Sequence, residues 1–334
     1  MQEAVFYEKK EDGKVKCTLC PWYCELKPGD TGSCKVRRNT GGILETLVFG
    51  KVAAIAIDPI EKKPLYHFFP GKNILSIGLV GCNLHCTFCQ NHTISQCQAD
   101  EFQGFVPFTA SQLLEKAKEV NNNIGIAYTY NEPFTFFELM FETAQLIHAH
   151  AMKNVVVSNG FVNPVPLKTI LPFTDAFNID LKAYDERFYR KQAKGRLKPV
   201  LKTIVAVAES KVHLEITNLV IPGQNDNETQ FENMVKWIAR ETGINTPLHL
   251  SRYFPHYKLH EPATSLEKLE RLYYLAKTHL QYVYVGNVNN NGRAATSCPG
   301  CGKVLIQRNR NTVIINSKFT GYCPDCGKKI QLII

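Results

Sequence analysis

The residues best suited to chemistry are three cysteines packed into "GLVGCNLHCTFCQN", residues 78–91: Cys82, Cys86 and Cys89, spaced C-x3-C-x2-C. Thiolates in this density favour zinc or iron–sulfur over hard-cation chemistry. A structural metal site normally closes with four ligands. Here the loop offers three. Zinc would have to recruit His85 or His92 as the fourth, whereas a 4Fe-4S cluster on three cysteines leaves one iron open to an exogenous ligand.

Two further groups flank this loop. "CPGCGK" and "CPDCGK" supply Cys298, Cys301, Cys323 and Cys326. Paired knuckles of this kind point backbone N–H groups at the thiolates and read as a closed tetrahedral zinc site, with a rubredoxin-like iron as the alternative. Such a metal would supply folding energy to a module too small to bury a core of its own. The N-terminal "CTLCPWYCELKPGDTGSC" gives Cys17, Cys20, Cys24 and Cys34, a C-x2-C-x3-C-x9-C array that fits zinc or a second iron–sulfur cluster. Cys97 has no partner in the pattern and reads as an incidental thiol.

Composition bounds what these cysteines are for. The chain has 334 residues, 44% hydrophobic and 21% charged, enough for a substantial core. "MQEAVFYEKKEDGKVK" lacks the apolar run of a signal peptide, and no segment approaches the roughly 20 apolar residues of a membrane span. A cytoplasmic protein with no membrane partner is expected, and in that compartment twelve cysteines imply metal rather than disulfides. The net charge of +9 permits an anionic partner, but no block of like charges stands out and no basic stripe is interleaved with aromatics, which argues against nucleic acid.

The elements that must position the central cysteines form a regular series. Strand-like "ILSIGLVG", "IGIAYTY", "VVVSNG", "DAFNIDLKA", "VHLEITNLVI" and "PLHLSRYF" alternate with helix-like segments such as "TASQLLEKAKEV", capped by Thr109, and "ETQFENMVKWIARET". Six β–α units in a row predict parallel strands joined by right-handed crossovers. The expected fold is α/β, a partial (β/α)6 TIM-like barrel over residues 71–288. It is flanked by a Cys-rich N-terminal region, 1–70, and a zinc-ribbon-like module, 289–334. Polar residues gather at the strand ends: Glu132, Ser158, Asn159, Asp180, Lys182, Asn218 and His249. Parallel barrels carry their active sites on that edge.

"CNLHCTFC", with an aromatic before the last cysteine, is similar to the signature of the radical S-adenosylmethionine (radical SAM) family. "TYNEP", "VSNG", "NIDLKAYD", "LVIPGQND" and "HLSRYFP" resemble, in order, strand ends of the glycyl-radical-enzyme activases related to pyruvate formate-lyase activating enzyme. The N-terminal array followed by "GKVAAIAIDPIEKKPLYHFFPG" resembles the radical SAM member of the AmmeMemoRadiSam system. The resemblance implies a 4Fe-4S cluster on Cys82, Cys86 and Cys89, whose open iron chelates S-adenosylmethionine and whose electron cleaves it to a 5′-deoxyadenosyl radical that takes hydrogen from a substrate. It implies that Glu132 meets the methionine ammonium, Lys182 the carboxylate, and Asp180 and His249 the ribose. Ser158 and Asn159 would lie along the methionyl part and Phe88 beside the adenine. Val157 departs from the Asp that the activases carry on this strand, so ammonium binding falls more heavily on Glu132.

The implied partners are S-adenosylmethionine, an electron donor such as flavodoxin or ferredoxin, and AMMECR1-like and Memo-like proteins or another protein substrate. The substrate itself is left open, with a glycyl residue of a partner protein as the activase-like case. An RNA- or protein-modifying radical SAM enzyme is the alternative, and a non-catalytic zinc scaffold is the reading outside catalysis. The scaffold has no need of the polar strand ends.

Overall fold

The computed structural model describes residues 2–288, 292–309 and 312–334. Its centre is an eight-stranded sheet. Seven strands are parallel and lie in sequential order: β2 (Asn73–Gly78), β3 (Asn123–Tyr128), β4 (Lys153–Ser158), β5 (Ala176–Asp180), β6 (His213–Val220), β7 (Leu248–Arg252) and β8 (Val283–Gly286). β1 (Ala54–Pro59) pairs antiparallel with β2 at the edge. The order runs from β8 to β1 without joining those edges, so the sheet is an incomplete β/α barrel. β8 extends the expected six parallel strands to seven. β1 comes from within the 1–70 stretch, so that stretch contributes to the central sheet as well as to its own small sheets.

Between the strands run α1 (Ala110–Glu119), α2 (Phe137–Ala149), α3 (Pro164–Ile170), α4 (Leu197–Ala208), α5 (Glu228–Thr242) and α6 (Leu266–Lys277). Their starts follow capping chemistry. Thr109 and Gln112 form a reciprocal capping box on α1, while Asn227 and Ser265 accept from the Gln230 and Lys268 N–H groups on α5 and α6. α5 turns Phe231, Met234, Val235 and Ile238 onto the sheet, and each such burial stabilises by about 1.5–3 kcal/mol. Covered on both faces, the parallel strands can be apolar almost throughout, which is why they read as runs rather than alternations.

The N-terminal cysteines sit on two small antiparallel sheets, one of Tyr7–Lys9, Val15–Cys17 and Glu25–Leu26, the other of Gln2–Glu3, Ile43–Thr46 and Arg37–Thr40. The C-terminal module is a three-stranded antiparallel sheet of Thr296–Ser297, Val304–Asn309 and Thr312–Ile315. The start expected for it, residue 289, lies outside the described residues. It docks beneath the central sheet: Arg308 stacks over the Tyr66 ring at 4.3 Å and donates to the Tyr66 carbonyl, and Ile333 exchanges backbone hydrogen bonds with His67 and Phe69. Among the described residues no helix is long and apolar enough to cross a membrane.

Candidate active site

Cys82, Cys86 and Cys89 follow β2 and line one cavity of about 320 Å³ on the edge where the parallel strands end. The same wall carries Ser158, Asn159, Asp180 and Lys182, drawn from the ends of β4 and β5, together with Phe88 and Val157. Residues far apart in sequence therefore converge because parallel strands all finish on one edge. The loop is held by its backbone. The Leu84 N–H donates to Cys82 Sγ at 3.4 Å, Cys89 Sγ is 3.0 Å from Ser95 Oγ, and Asn159 Nδ2 approaches Cys82 Sγ at 3.6 Å. Gly81 just before Cys82 has φ +97°, and a side chain there would strike Val36 at 2.5 Å and the Cys34 carbonyl at 2.7 Å, so glycine is required.

The electrostatics favour bound charge over free ions. Burial pushes the Cys86 thiol up to about 12, with Lys182 the main opposing influence, and burial and Glu132 raise Cys82 as well. A thiolate here needs a cation to compensate it. Lys182 Nζ bonds Asp180 at 2.9 Å and stands 5.8 Å over the Phe88 ring. Burial opposes its charge, but Asp180 and Cys86 outweigh burial and hold the ammonium above its ordinary range.

Glu132 stands one layer behind the wall rather than on it. Its carboxylate accepts from the Asn159 N–H (2.8 Å), the Ser158 hydroxyl (2.9 Å) and the Phe134 N–H (3.2 Å). Burial raises it to about 7 against those three donors. It thus fixes the two residues that do face the cavity.

His249 is placed elsewhere. Its Nε2 is 2.6 Å from Glu215, and its ring packs between Tyr66 and Tyr284, beneath the cavity floor. It shares Glu215 with His213 and the His67 N–H. The buried pairing with Glu215 occupies the group expected at the ribose. Asn218 is also internal, donating to the Leu181 and Lys182 carbonyls. The two imidazoles considered as a fourth zinc ligand do not line the cavity: His85 contacts Ser33 and Gln96, and His92 stacks on Tyr257.

Sequence reasoning missed Lys62, Lys63, Tyr130, Thr217 and Ser251 on the cavity wall. Thr217 and Ser251 were findable from register, since Thr217 pairs with Asp180 and Ser251 with Leu219, two cavity residues. Lys62 and Lys63 arrive from the β1–β2 connection and carry no motif.

The C-terminal cysteines form a different kind of site. Cys298 and Cys326, and Cys301 and Cys323, have sulfurs 3.5 Å apart, and all four lie within 4.8 Å of one another. Each knuckle repeats the same bonds, with Cys298 N–H to Lys303 O and Cys323 N–H to Lys328 O, both 2.8 Å. This donor set fits a single tetrahedral ion. Among the described residues it is the one group of three or more potential ligands that compact. The sulfurs of Cys82, Cys86 and Cys89 are more widely set around open space, which suits a cluster with one free corner and not a lone ion.

The profile of the Radical SAM superfamily matches residues 76–238. An uncharacterized protein of Methanocaldococcus jannaschii is 42% identical over 338 residues, 100% of both chains. The (2S)-3-sulfopropanediol dehydratase activating enzyme of Klebsiella oxytoca is 24% identical over 119 residues, 36% of this chain and 38% of that one. A radical SAM methyltransferase from Sphaerobacter thermophilus shares the fold, with TM-score 0.51 and 15% identity over 65% of this chain and 67% of the other. With its cysteine loop and parallel sheet on the page, the chain belongs to the radical SAM superfamily, whose members use a 4Fe-4S cluster and S-adenosylmethionine.

Proposed function

We propose that Cys82, Cys86 and Cys89 hold the 4Fe-4S cluster and that the cavity beside them binds S-adenosylmethionine for radical attack on a further substrate. The observation that carries this reading is the convergence of three widely set thiols with Ser158, Asn159, Asp180 and Lys182 on one cavity at the parallel strand ends. When bound, the cluster and S-adenosylmethionine supply reductive sulfonium cleavage and a carbon-centred radical able to remove hydrogen.

The chain's own residues bind, orient and exclude water. Lys182 offers an ammonium to the cofactor's carboxylate, an ionised hydrogen bond stronger than a neutral one. Asp180 keeps Lys182 charged and offers its second oxygen to a hydroxyl. Glu132 locks Ser158 and Asn159 against the methionyl part, and Phe88 gives an apolar face for the adenine. Thr217 and Ser251 take the hydroxyl-facing position that His249 leaves.

The substrate reading is activase-like: hydrogen abstraction from a partner protein, with a glycyl residue as the type case. The similarity to an activating enzyme over 36% of the chain supports it. The C-terminal four-cysteine group is assigned zinc in a structural role. The test is 5′-deoxyadenosine formation by anaerobically reconstituted protein given S-adenosylmethionine and a strong reductant. Product from wild type and none from Cys86→Ala is expected. No product from a sample with a fully reduced cluster, with or without candidate partner proteins, would overturn the reading.

A further inference from the structure

The N-terminal cysteines enclose a second, smaller cavity that the reading above does not use. Cys17, Cys20, Cys24 and Cys34 all line it, with Gly32 and Arg37 on its wall and Asn83 and Thr135 on the side toward the central site. Three of the four cysteines are buried and Cys24 is half-buried. We propose that these four thiols hold an iron–sulfur cluster of the 4Fe-4S class and not zinc.

Spacing carries the argument. Zinc–sulfur bonds of about 2.3 Å draw four sulfurs to about 3.8 Å from one another. The C-terminal group has that compactness, with all its sulfurs within 4.8 Å. Among the described residues the N-terminal group has no three ligand atoms so close, although its sulfurs face one enclosed space. A cube carries each thiolate on a separate iron corner, so it demands wider thiols around a filled centre.

A second observation points into the same space. Arg37 is 1% exposed; its Nη1 donates to the Val5 carbonyl at 2.8 Å and its Nη2 to Glu138 at 2.5 Å. Its Nε–H has no partner, yet the side chain lines the cavity. A buried guanidinium donor left unpaired is costly, and a cluster sulfide or thiolate at the wall would accept from it. Gly32 completes the cradle. A methyl there would stand 3.8 Å from Cys24 Sγ and 3.9 Å from Cys34 Sγ, at the edge of the space the cluster would fill.

The position adds a consequence. Gly81 packs on the Cys34 carbonyl, and Asn83 lines the N-terminal cavity while accepting from Asn159, a central-cavity residue, at 2.9 Å. Cys82 lies between Gly81 and Asn83 in the chain. One residue layer therefore separates the two sites.

The experiment is metal and sulfide analysis of the full chain, anaerobically reconstituted with iron, sulfide and zinc all present, with Mössbauer spectra. Wild type is expected to carry about eight iron and eight sulfide per chain. The Cys82→Ala/Cys86→Ala/Cys89→Ala variant and the Cys20→Ala/Cys34→Ala variant are each expected to keep about four of each, as two separate clusters require. The cluster retained by each variant reports that it has folded. A wild type with about four iron and about two zinc, or iron at the N-terminal group without sulfide, would overturn the proposal. The inference uses the central assignment only for the triple variant. If that assignment were the one at fault, the triple variant would bind as much iron as wild type, whereas failure of the present proposal leaves it with none.

Discussion

The central and C-terminal cysteine sites are built on opposite plans. At the C-terminus, two near-identical knuckles 21 residues apart in sequence supply every ligand, and the site is complete within its own module. In the centre, three cysteines are only one wall, and the rest comes from the ends of β4 to β7 and the β1–β2 connection. The first plan holds an ion shut and can be read from spacing. The second leaves a face for chemistry and needs a whole sheet to assemble it.

The comparison breaks most decisively at Cys86. Cys86→Ala should reduce 5′-deoxyadenosine formation to background and remove the central iron, measured by chromatography and iron analysis.

The next effect is on the seam between the two regions, where His67 Nδ1 lies 2.6 Å from the Gln331 carbonyl and Nε2 lies 2.6 Å from the Tyr284 hydroxyl. Burial, only partly opposed by Glu215, lowers His67 to about 4. Between about 4 and 6.5 the unfolded chain therefore binds a proton that the fold refuses. Stability is intact above pH 6.5 and falls toward pH 4, by roughly 3 kcal/mol from this group. Denaturant melts across that range should show the loss in wild type and a shallower slope in His67→Gln.

Lys182→Ala should raise the KM for S-adenosylmethionine by about 10- to 100-fold, the worth of a hydrogen bond to a charged group. An unchanged KM would mean that the cofactor does not meet this wall.

The smallest effect sharpens the contrast. Cys301→Ser should abolish metal binding at the C-terminal group while 5′-deoxyadenosine formation stays within about threefold, below ~0.7 kcal/mol of barrier. A larger loss would show that the closed site supports the open one.

Legibility in the sequence followed the same divide. The α5 boundaries and the Thr109 cap were readable because capping and periodicity are local. The cavity wall at Ser158, Asn159, Asp180 and Lys182 was readable because strand ends share an edge. His249 was misread because a polar residue on a strand can face the cavity or lie a layer below it, and only the partner Glu215, 34 positions away, decides which. The seventh parallel strand, "VYVG", was too short to register as an element. The difference between the N- and C-terminal cysteine groups was invisible, since sequence spacing does not report the separation of sulfurs.

The docking of the C-terminal module also has a kinetic side. Neighbouring strands of the parallel sheet are neighbours in the chain, so its contacts close short loops. Ile333 must find Phe68 across 265 positions, and Arg308 must find Tyr66 across 242. Closing such loops is entropically slow until the intervening chain is already compact. The sheet and its cysteine loop should therefore assemble first and the module latch on last, so that pulse-labelled amide exchange during refolding would find Ile333 protected after the strands of the sheet.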